Sequence, residues 1–375
     1  MLLSFLSACT PDTNLLGSGS WQASTLANQH IRTLAVDPTS SQTLYAGNAD
    51  GTTFRSTDAG QHWTKRGNIS VAPLSLSMLT VAPSGKMLYA LTDAGLFAST
   101  DAAQTWRTVN TSNSGLPIDG YTTLTFDEQK NMYVGTSRHG VFMSSDSTGT
   151  HWKASNGTLP QEIVIHELAF DGTQHRLWAA TSSGVYRSDN NGKNWNALNN
   201  GLPVIDGVTT IQPAASAGGA LGLVYAGTRK GIFRSTEGGT HWVESGQLLQ
   251  GVPILSILVD FRSTNASTIY VGTKFGAFRS DDNGQNWRGI AGGLPENTPV
   301  YALAIGDNKA SQLYATANNV YLFPGSNNGI NSTRVVSLLL ILLLFVLLFF
   351  IAQRGTRRRK ALLKPPPNIE TPPSE

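Results

Sequence analysis

Several stretches of the chain carry acids and amides packed around a glycine, as metal loops and catalytic acids do. "STDAGQHW" occupies Ser56–Trp63 and "SDDNGQNW" Ser280–Trp287. Drifted copies end at Trp106, Trp152, Trp195 and Trp242, with Ala103 for the glycine in the second and one inserted residue in the third. The acidic slot holds Asp58, Asp101, Asp146, Asn190, Glu237 and Asp282 in turn. A Ca2+ loop of the EF-hand kind needs twelve residues ending in a bidentate Glu, which these lack. A catalytic acid would not be spread over six degenerate copies. Side chains that accept backbone N–H bonds, beside a glycine that permits positive φ, describe a turn instead. A second set of acids, Asp119, Glu162, Asp206 and Glu296, holds the candidates for a glycosidase pair, since such chemistry needs two carboxylates across one bond. Nothing in the sequence singles out two of them. No spacing of His or Cys suits a metal, and no phosphate loop, nucleophile elbow or cofactor motif is present.

The elements that position these residues follow from the period. Aligned Trp residues stand at 21, 63, 106, 152, 195, 242 and 287, at intervals of 42 to 47. A period near 45 is that of a four-stranded propeller blade. Each unit has a first strand ending in a turn ("TLAVDP", "ELAFDG"). A second follows ("LYAGN", "MYVGT", "VYAGT"), then a tight turn and a third ("GVYRS", "GIFRS", "GAFRS"). The box comes next, and its Trp opens a fourth strand. Period-two aromatic and β-branched residues bounded by Gly, Asp and Asn are strand signals. Seven second strands accompany six boxes. The last unit stops after "LYATANNVYLFPGS", and its missing strand lies around Trp21 at the other end of the chain. The reading is an all-β, seven-bladed β-propeller over residues 18–324, closed by pairing the two ends so that no sheet edge is left open. Asp37, Asp127, Asp171 and Asp260 end first strands, and Arg55, Arg187, Arg234 and Arg279 precede box serines. Both sets read as structural.

Outside the ring, "VVSLLLILLLFVLLFFIA" (335–352) is uncharged, and eighteen residues at 1.5 Å span about 27 Å, near the thickness of a bilayer core. It reads as a transmembrane helix reached by a linker (325–334). The basic, Pro-rich tail (353–375) is expected in the cytoplasm and the propeller outside. The net charge is +3; six basic and two acidic residues after 351 give that tail +4, leaving −1 for the rest. Bulk charge therefore does not suit nucleic-acid binding. Residues 1–9, ending in Leu6-Ser7-Ala8-Cys9, form a short export signal, with Cys9 at the position of a lipidated cysteine. Cys9 is the sole cysteine, so no intrachain disulfide holds the fold.

Ser-x-Asp-x-Gly-x-x-Trp resembles the Asp-box, or BNR, repeat, and its families differ in what they imply. Sialidases carry an Arg-Ile-Pro motif that is absent here. Family-74 glycosidases share the "GT..GVFRS.D.G..W" style and the "GLP" connectors seen at Gly115–Pro117, Gly201–Pro203 and Gly293–Pro295. They place their paired acids between two propellers, whereas this chain has room for one. Sortilin-like receptors add Cys-rich modules not found here. Photosystem II assembly factors match in size, and that resemblance implies an exported binding scaffold without a cofactor. The expectation is a membrane-anchored, extracytoplasmic propeller that binds a protein or glycan; a carbohydrate-active hydrolase on the same fold is the alternative. Binding is expected on the face opposite the boxes, around Arg138, His139, Arg229, Lys230, Lys274 and Phe275, with His30 and His166 on nearby connectors.

Overall fold

The computed structural model describes residues 20–70, 75–109, 113–117, 120–146, 148–203, 206–214, 222–260, 268–306 and 312–323. Its strands form seven four-stranded antiparallel sheets. Blade 1 comprises β2 (Ile31–Asp37), β3 (Ser40–Asn48), β4 (Thr52–Ser56) and β5 (Thr64–Asn68). Blade 2 comprises β6 (Leu76–Val81), β7 (Leu88–Thr92), β8 (Leu96–Ser99) and β9 (Arg107–Thr108). Blade 3 holds β10 (Tyr121–Phe126), β11 (Met132–Thr136), β12 (Val141–Ser144) and β13 (Lys153–Ala154). Blade 4 holds β14 (Ile165–Asp171), β15 (Arg176–Thr181), β16 (Gly184–Ser188) and β17 (Asn196–Ala197). In blade 5 follow β18 (Val208–Ala214), β19 (Leu223–Thr228), β20 (Gly231–Ser235) and β21 (Val243–Glu244). Blade 6 adds β22 (Ile254–Asp260), β23 (Thr268–Thr273), β24 (Gly276–Ser280) and β25 (Arg288–Gly289). Blade 7 joins β26 (Ala302–Ile305), β27 (Leu313–Thr316) and β28 (Val320–Phe323) to the N-terminal β1 (Gln22–Ala23). The closure expected from Trp21 is thus a strand pairing, Gln22 opposite Leu322 and Ala23 opposite Tyr321. The fourth strands start one residue after the box Trp rather than on it, because the Trp ring turns inward between blades.

The core is seven clusters, one at each junction of consecutive blades, and each takes its Trp from the later blade. Trp195 of blade 4 packs with Tyr133 and Val141 of blade 3, and Trp242 of blade 5 with Trp178 and Val185 of blade 4. Trp21 packs with Tyr270 and Ile290 of blade 6, sealing the ring. Second strands lie between two neighbours, so β7, β11 and β19 are buried at every residue and read as continuous apolar runs. The two-residue fourth strands β9, β13, β17, β21 and β25 form the exposed rim.

Glycine sets the blade spacing. A Cβ at Gly135 would lie 2.6 Å from Ile165 Cγ2, and one at Gly227 2.7 Å from Ile254 Cγ2. The "YVGT" and "YAGT" motifs therefore carry Gly so that the next blade's first strand can approach. Among the described residues no helix is long and apolar enough to cross a membrane. The segment 335–352, its flanks and Cys9 lie outside the described residues.

Candidate binding face and central cavity

Register assigns the two ends of the ring. Ile31 pairs with Asn48, and Ile254 with Thr273, so first strands begin beside the second-to-third turns. Those turns and the blade connectors share one end, here the connector face; the boxes and the first-to-second turns share the other.

At the connector face the first strands of all seven blades enclose a cavity of about 590 Å3. Inner strands hand hydrogen bonds from blade to blade. Leu79 N–H donates to Thr33 Oγ1 (2.8 Å) and Leu168 N–H to Thr123 Oγ1 (3.1 Å). In blade 4 this threonine position holds Glu167, whose Oε2 accepts from Ile211 N–H at 2.9 Å. Burial pushes the Glu167 carboxyl up from its ordinary range, opposed by bonds from Thr210 and Ile211. His166, expected on a connector, is the second residue of β14, and its Nδ1 donates to the Val208 carbonyl at 2.8 Å. Arg32 stacks its guanidinium 4.5 Å from the Tyr301 ring centroid at the same cavity. Arg32 and Tyr301 belong to none of the motifs that recur along the sequence, and Glu167 enters one only as the first letter of "ELAFDG". Superposing the first strands would have exposed Glu167, since that register otherwise holds Thr33, Met78, Thr123, Thr210, Ser256 and Ala302.

The six residues expected on the connector face all sit in its turns and are exposed: Arg138 and His139 in blade 3, Arg229 and Lys230 in blade 5, Lys274 and Phe275 in blade 6. Lys230 Nζ lies 3.4 Å from Asp206 Oδ2, which gives Asp206 an ion-pair role. Glu162 and Glu296 are exposed on separate connectors, and Asp119 lies outside the described residues. No two of the four acids are brought together as a described pair. Among the described residues no three His, Cys, Asp or Glu side chains gather at metal distance. The acids of the first two turns face inward to the backbone: Asp50 accepts from Thr52 N–H (2.9 Å) and Asp93 from Ser75 N–H (2.7 Å). Beside the bases lie exposed apolar groups, Leu248, Leu255 and Phe275. Leu248 sits in a 3-10 turn (Gln247–Leu249) of the connector that is tied to the blade 5 turn by Gly251 N–H to Lys230 O (2.7 Å). Blades 5 and 6 thus combine cations with uncovered apolar surface.

The box end is built for holding. Ser56 Oγ donates to Asp58 Oδ1 (2.8 Å) and accepts from Gly60 N–H (2.9 Å), while Asp58 Oδ1 accepts from His62 N–H (2.9 Å). The same bonds recur at Ser99–Asp101, Ser188–Asn190 and Ser280–Asp282. Glu237 departs: one carbon longer, it accepts from the Thr240 hydroxyl (3.1 Å) instead. Of the arginines before the box serines, Arg55, Arg187 and Arg279 lie over second-strand aromatics, and Arg187 and Arg234 reach forward to the next box. Arg187 lies 5.6 Å over Trp178 and donates to Gly238 O in the next box (2.7 Å), and Arg234 donates to Asn283 O (3.0 Å).

Box carboxylates should make the ring acid-sensitive. The His62 backbone N–H holds the Asp58 carboxyl down at about 2, and the Thr105 hydroxyl and N–H do the same for Asp101. Asp146 and Asp282 are also lowered, their N–H and hydroxyl bonds outweighing desolvation. A folded value below the ordinary carboxylate range of about 3.9 gives stability that is complete above it and lost as pH falls from about 4 to about 2. Thermal unfolding followed by circular dichroism should show the melting temperature falling through that window. Asp58→Asn with Asp101→Asn should flatten the fall, since the amide keeps the acceptor, as Asn190 does naturally. An equally steep fall in the double variant would remove the boxes as its cause.

The fold and its two ends define a closed seven-bladed propeller with a structural box face and an open connector face. Its shape is similar to those of solved YCF48 and GH74 propellers. The family model described as "DUF6242 beta propeller domain" matches residues 8–139. The structure titled "YCF48 bound to D1 peptide" has a TM-score of 0.64 at 16% identity, covering 84% of this chain and 98% of that one. An ancestral GH74 enzyme has a TM-score of 0.66 at 17% identity, covering 84% of this chain but 47% of the enzyme. At these identities the likeness is one of fold. By sequence, the oligoxyloglucan-reducing end-specific xyloglucanase of Emericella nidulans is 26% identical over 188 residues, 47% of this chain and 22% of the enzyme. The chain thus spans under a quarter of that curated relative.

Proposed function

We propose that the chain is a non-catalytic binding propeller, anchored in the membrane with the ring outside the cytoplasm, that takes a protein or glycan on its connector face. The observation that carries this is the joint exposure of Arg229, Lys274, Phe275 and Leu248 on the connector face of blades 5 and 6. Exposed cations beside uncovered apolar groups form a mixed surface of the kind partners cover. The shape shared with YCF48, whose solved complex contains a peptide, supports a protein ligand.

The anchoring part of the proposal fits the path of the chain. β28 runs from the Asn318–Asn319 turn toward the box end, and β1 pairs with it antiparallel. Both chain ends therefore leave the ring at the box end. Cys9 and Val335 each stand twelve residues from the ring residues Trp21 and Phe323, a reach of about 40 Å at most.

A carbohydrate-active hydrolase is the second reading, favoured by the similarity to the xyloglucanases. One experiment separates the two: a glycan array read alongside a screen for reducing ends released from xyloglucan and other polysaccharides. The binding reading expects no released product, whether or not a glycan is retained. Soluble product that disappears in Glu162→Gln, Asp206→Asn or Glu296→Gln would establish the hydrolase.

A further inference from the structure

The box end contains a second cavity, of about 520 Å3, between blades 1 and 2. Its lining includes Arg55, Lys86, Tyr45, Thr100 and Asp37. Arg55 belongs to the set of four arginines before box serines, and it differs from the other three in one respect. Arg187 is neutralised by Asp189 and donates to Gly238 O; Arg279 is held by Asp281; Arg234 donates to Asn283 O. Arg55 has none of these. Two residues on, where Asp189 and Asp281 stand in blades 4 and 6, blade 1 has Thr57. The carbonyl that would receive it in the next box, Ala102 O, is taken by Arg66 Nε at 3.1 Å. Its Nε is buried without an acceptor, and its guanidinium lies 5.9 Å from the Tyr45 ring centroid. The Arg187 Nε is also without an acceptor, but both terminal nitrogens of that side chain are bonded.

Among the described residues the Tyr45 hydroxyl is the one side-chain partner of this half-buried guanidinium; its buried Nε is left without an acceptor, which is costly and points to a missing partner. The fixed fork of an arginine matches an oxyanion. Lys86, exposed at the cavity rim, adds a second cation, and the Thr100 hydroxyl a further donor. The one carboxylate in the lining, Asp37, is turned to its own turn, accepting from Thr39 N–H (2.8 Å) and Thr39 Oγ1 (2.7 Å). We infer that this cleft is an anion site, taking a phosphate or carboxylate group between the guanidinium of Arg55 and the ammonium of Lys86. It lies on the opposite end of the ring from the connector face, so it stands or falls separately from the function proposed above.

The test uses the full chain in neutral detergent at low chloride, with inorganic phosphate and acetate as separate probes, read by thermal unfolding and calorimetry. Wild type should show a saturable rise in melting temperature with at least one probe; the responding probe tells phosphate from carboxylate. Arg55→Gln should weaken that binding at least tenfold, and Lys86→Gln, at an exposed position, several-fold. Arg234→Gln should leave it intact, which separates the site from general salt effects. Without probe, Arg55→Gln should melt within a few degrees of wild type, because the variant loses the contact with Tyr45 but also a cation that has no carboxylate beside it as Arg187 and Arg279 do. Absence of saturable binding of both probes would overturn the inference. So would binding unchanged in both Arg55→Gln and Lys86→Gln.

Discussion

Trp21→Ala should cost the folded ring about 3–5 kcal/mol, the range for deleting a large buried aromatic. Trp21 is 3% exposed, lies 5.1 Å from the Phe323 ring centroid, and donates its indole N–H to Ile290 O. Its backbone N–H bonds Gly292 O at 2.8 Å. All of these join the N-terminal strand to blades 6 and 7, so the loss falls on the contact that closes the circle. Opening it would also expose the edge of β28, an unpaired strand that invites association. Chemical denaturation of wild type and variant, with light scattering at each step, should show a lower midpoint and earlier aggregation. A midpoint unchanged within about 0.5 kcal/mol would mean that the ring closes without β1.

Gly201→Ala should be nearly as damaging, about 2–4 kcal/mol, although it adds only a methyl group. Gly201 has φ +93°, where an L side chain is strained, and a Cβ there would meet Trp242 O at 2.2 Å. It follows Asn200, whose carbonyl accepts Trp242 N–H at 2.9 Å, and it precedes Leu202, buried in the blade 4–5 cluster. Gly115 and Gly293 repeat the arrangement against Trp152 and Trp21. The "GLP" connectors are therefore clasps: glycine lets the next blade's Trp backbone approach, and leucine plugs the junction. The same denaturation measurement applies. Gly251→Ala is the control, since its φ is also positive (+73°) but a Cβ there meets nothing within 4 Å. Equal losses at both positions would assign the effect to backbone strain alone.

The architecture was legible because each blade repeats the same physical problem. Trp, Gly and the Ser–Asp turn recur at one period, so even a missing box located Trp21 as the closing residue. The Asp-box positions read as turn acceptors, and in the structure Asp58 and Asp101 accept backbone N–H bonds within their turns. What the period conceals is departure from itself. Glu167 and Arg55 differ from their counterparts by what neighbouring blades supply: a backbone N–H for Glu167, and no free carbonyl for Arg55. Those facts depend on contacts some 40 residues apart, which a single repeat unit does not contain. The exposed turns gave the positions of Arg229, Lys230 and Lys274 but not the Asp206 partner that ties down Lys230. Leu248 and Leu255 gave no signal, because an apolar residue on a connector or at the start of a strand looks like any core residue until its neighbours are placed.

The central claim is that the connector face captures a partner without chemistry. Its most direct test is quantitative cross-linking and pull-down of the intact protein from detergent-solubilised whole cells, wild type against Arg229→Glu, Lys230→Glu, Lys274→Glu combined. These side chains are exposed, so the variant should fold and melt like wild type within a few degrees. The account predicts that proteins or glycans enriched by wild type are lost from the variant at least tenfold. Undiminished capture of the same partners by the folded variant would contradict it.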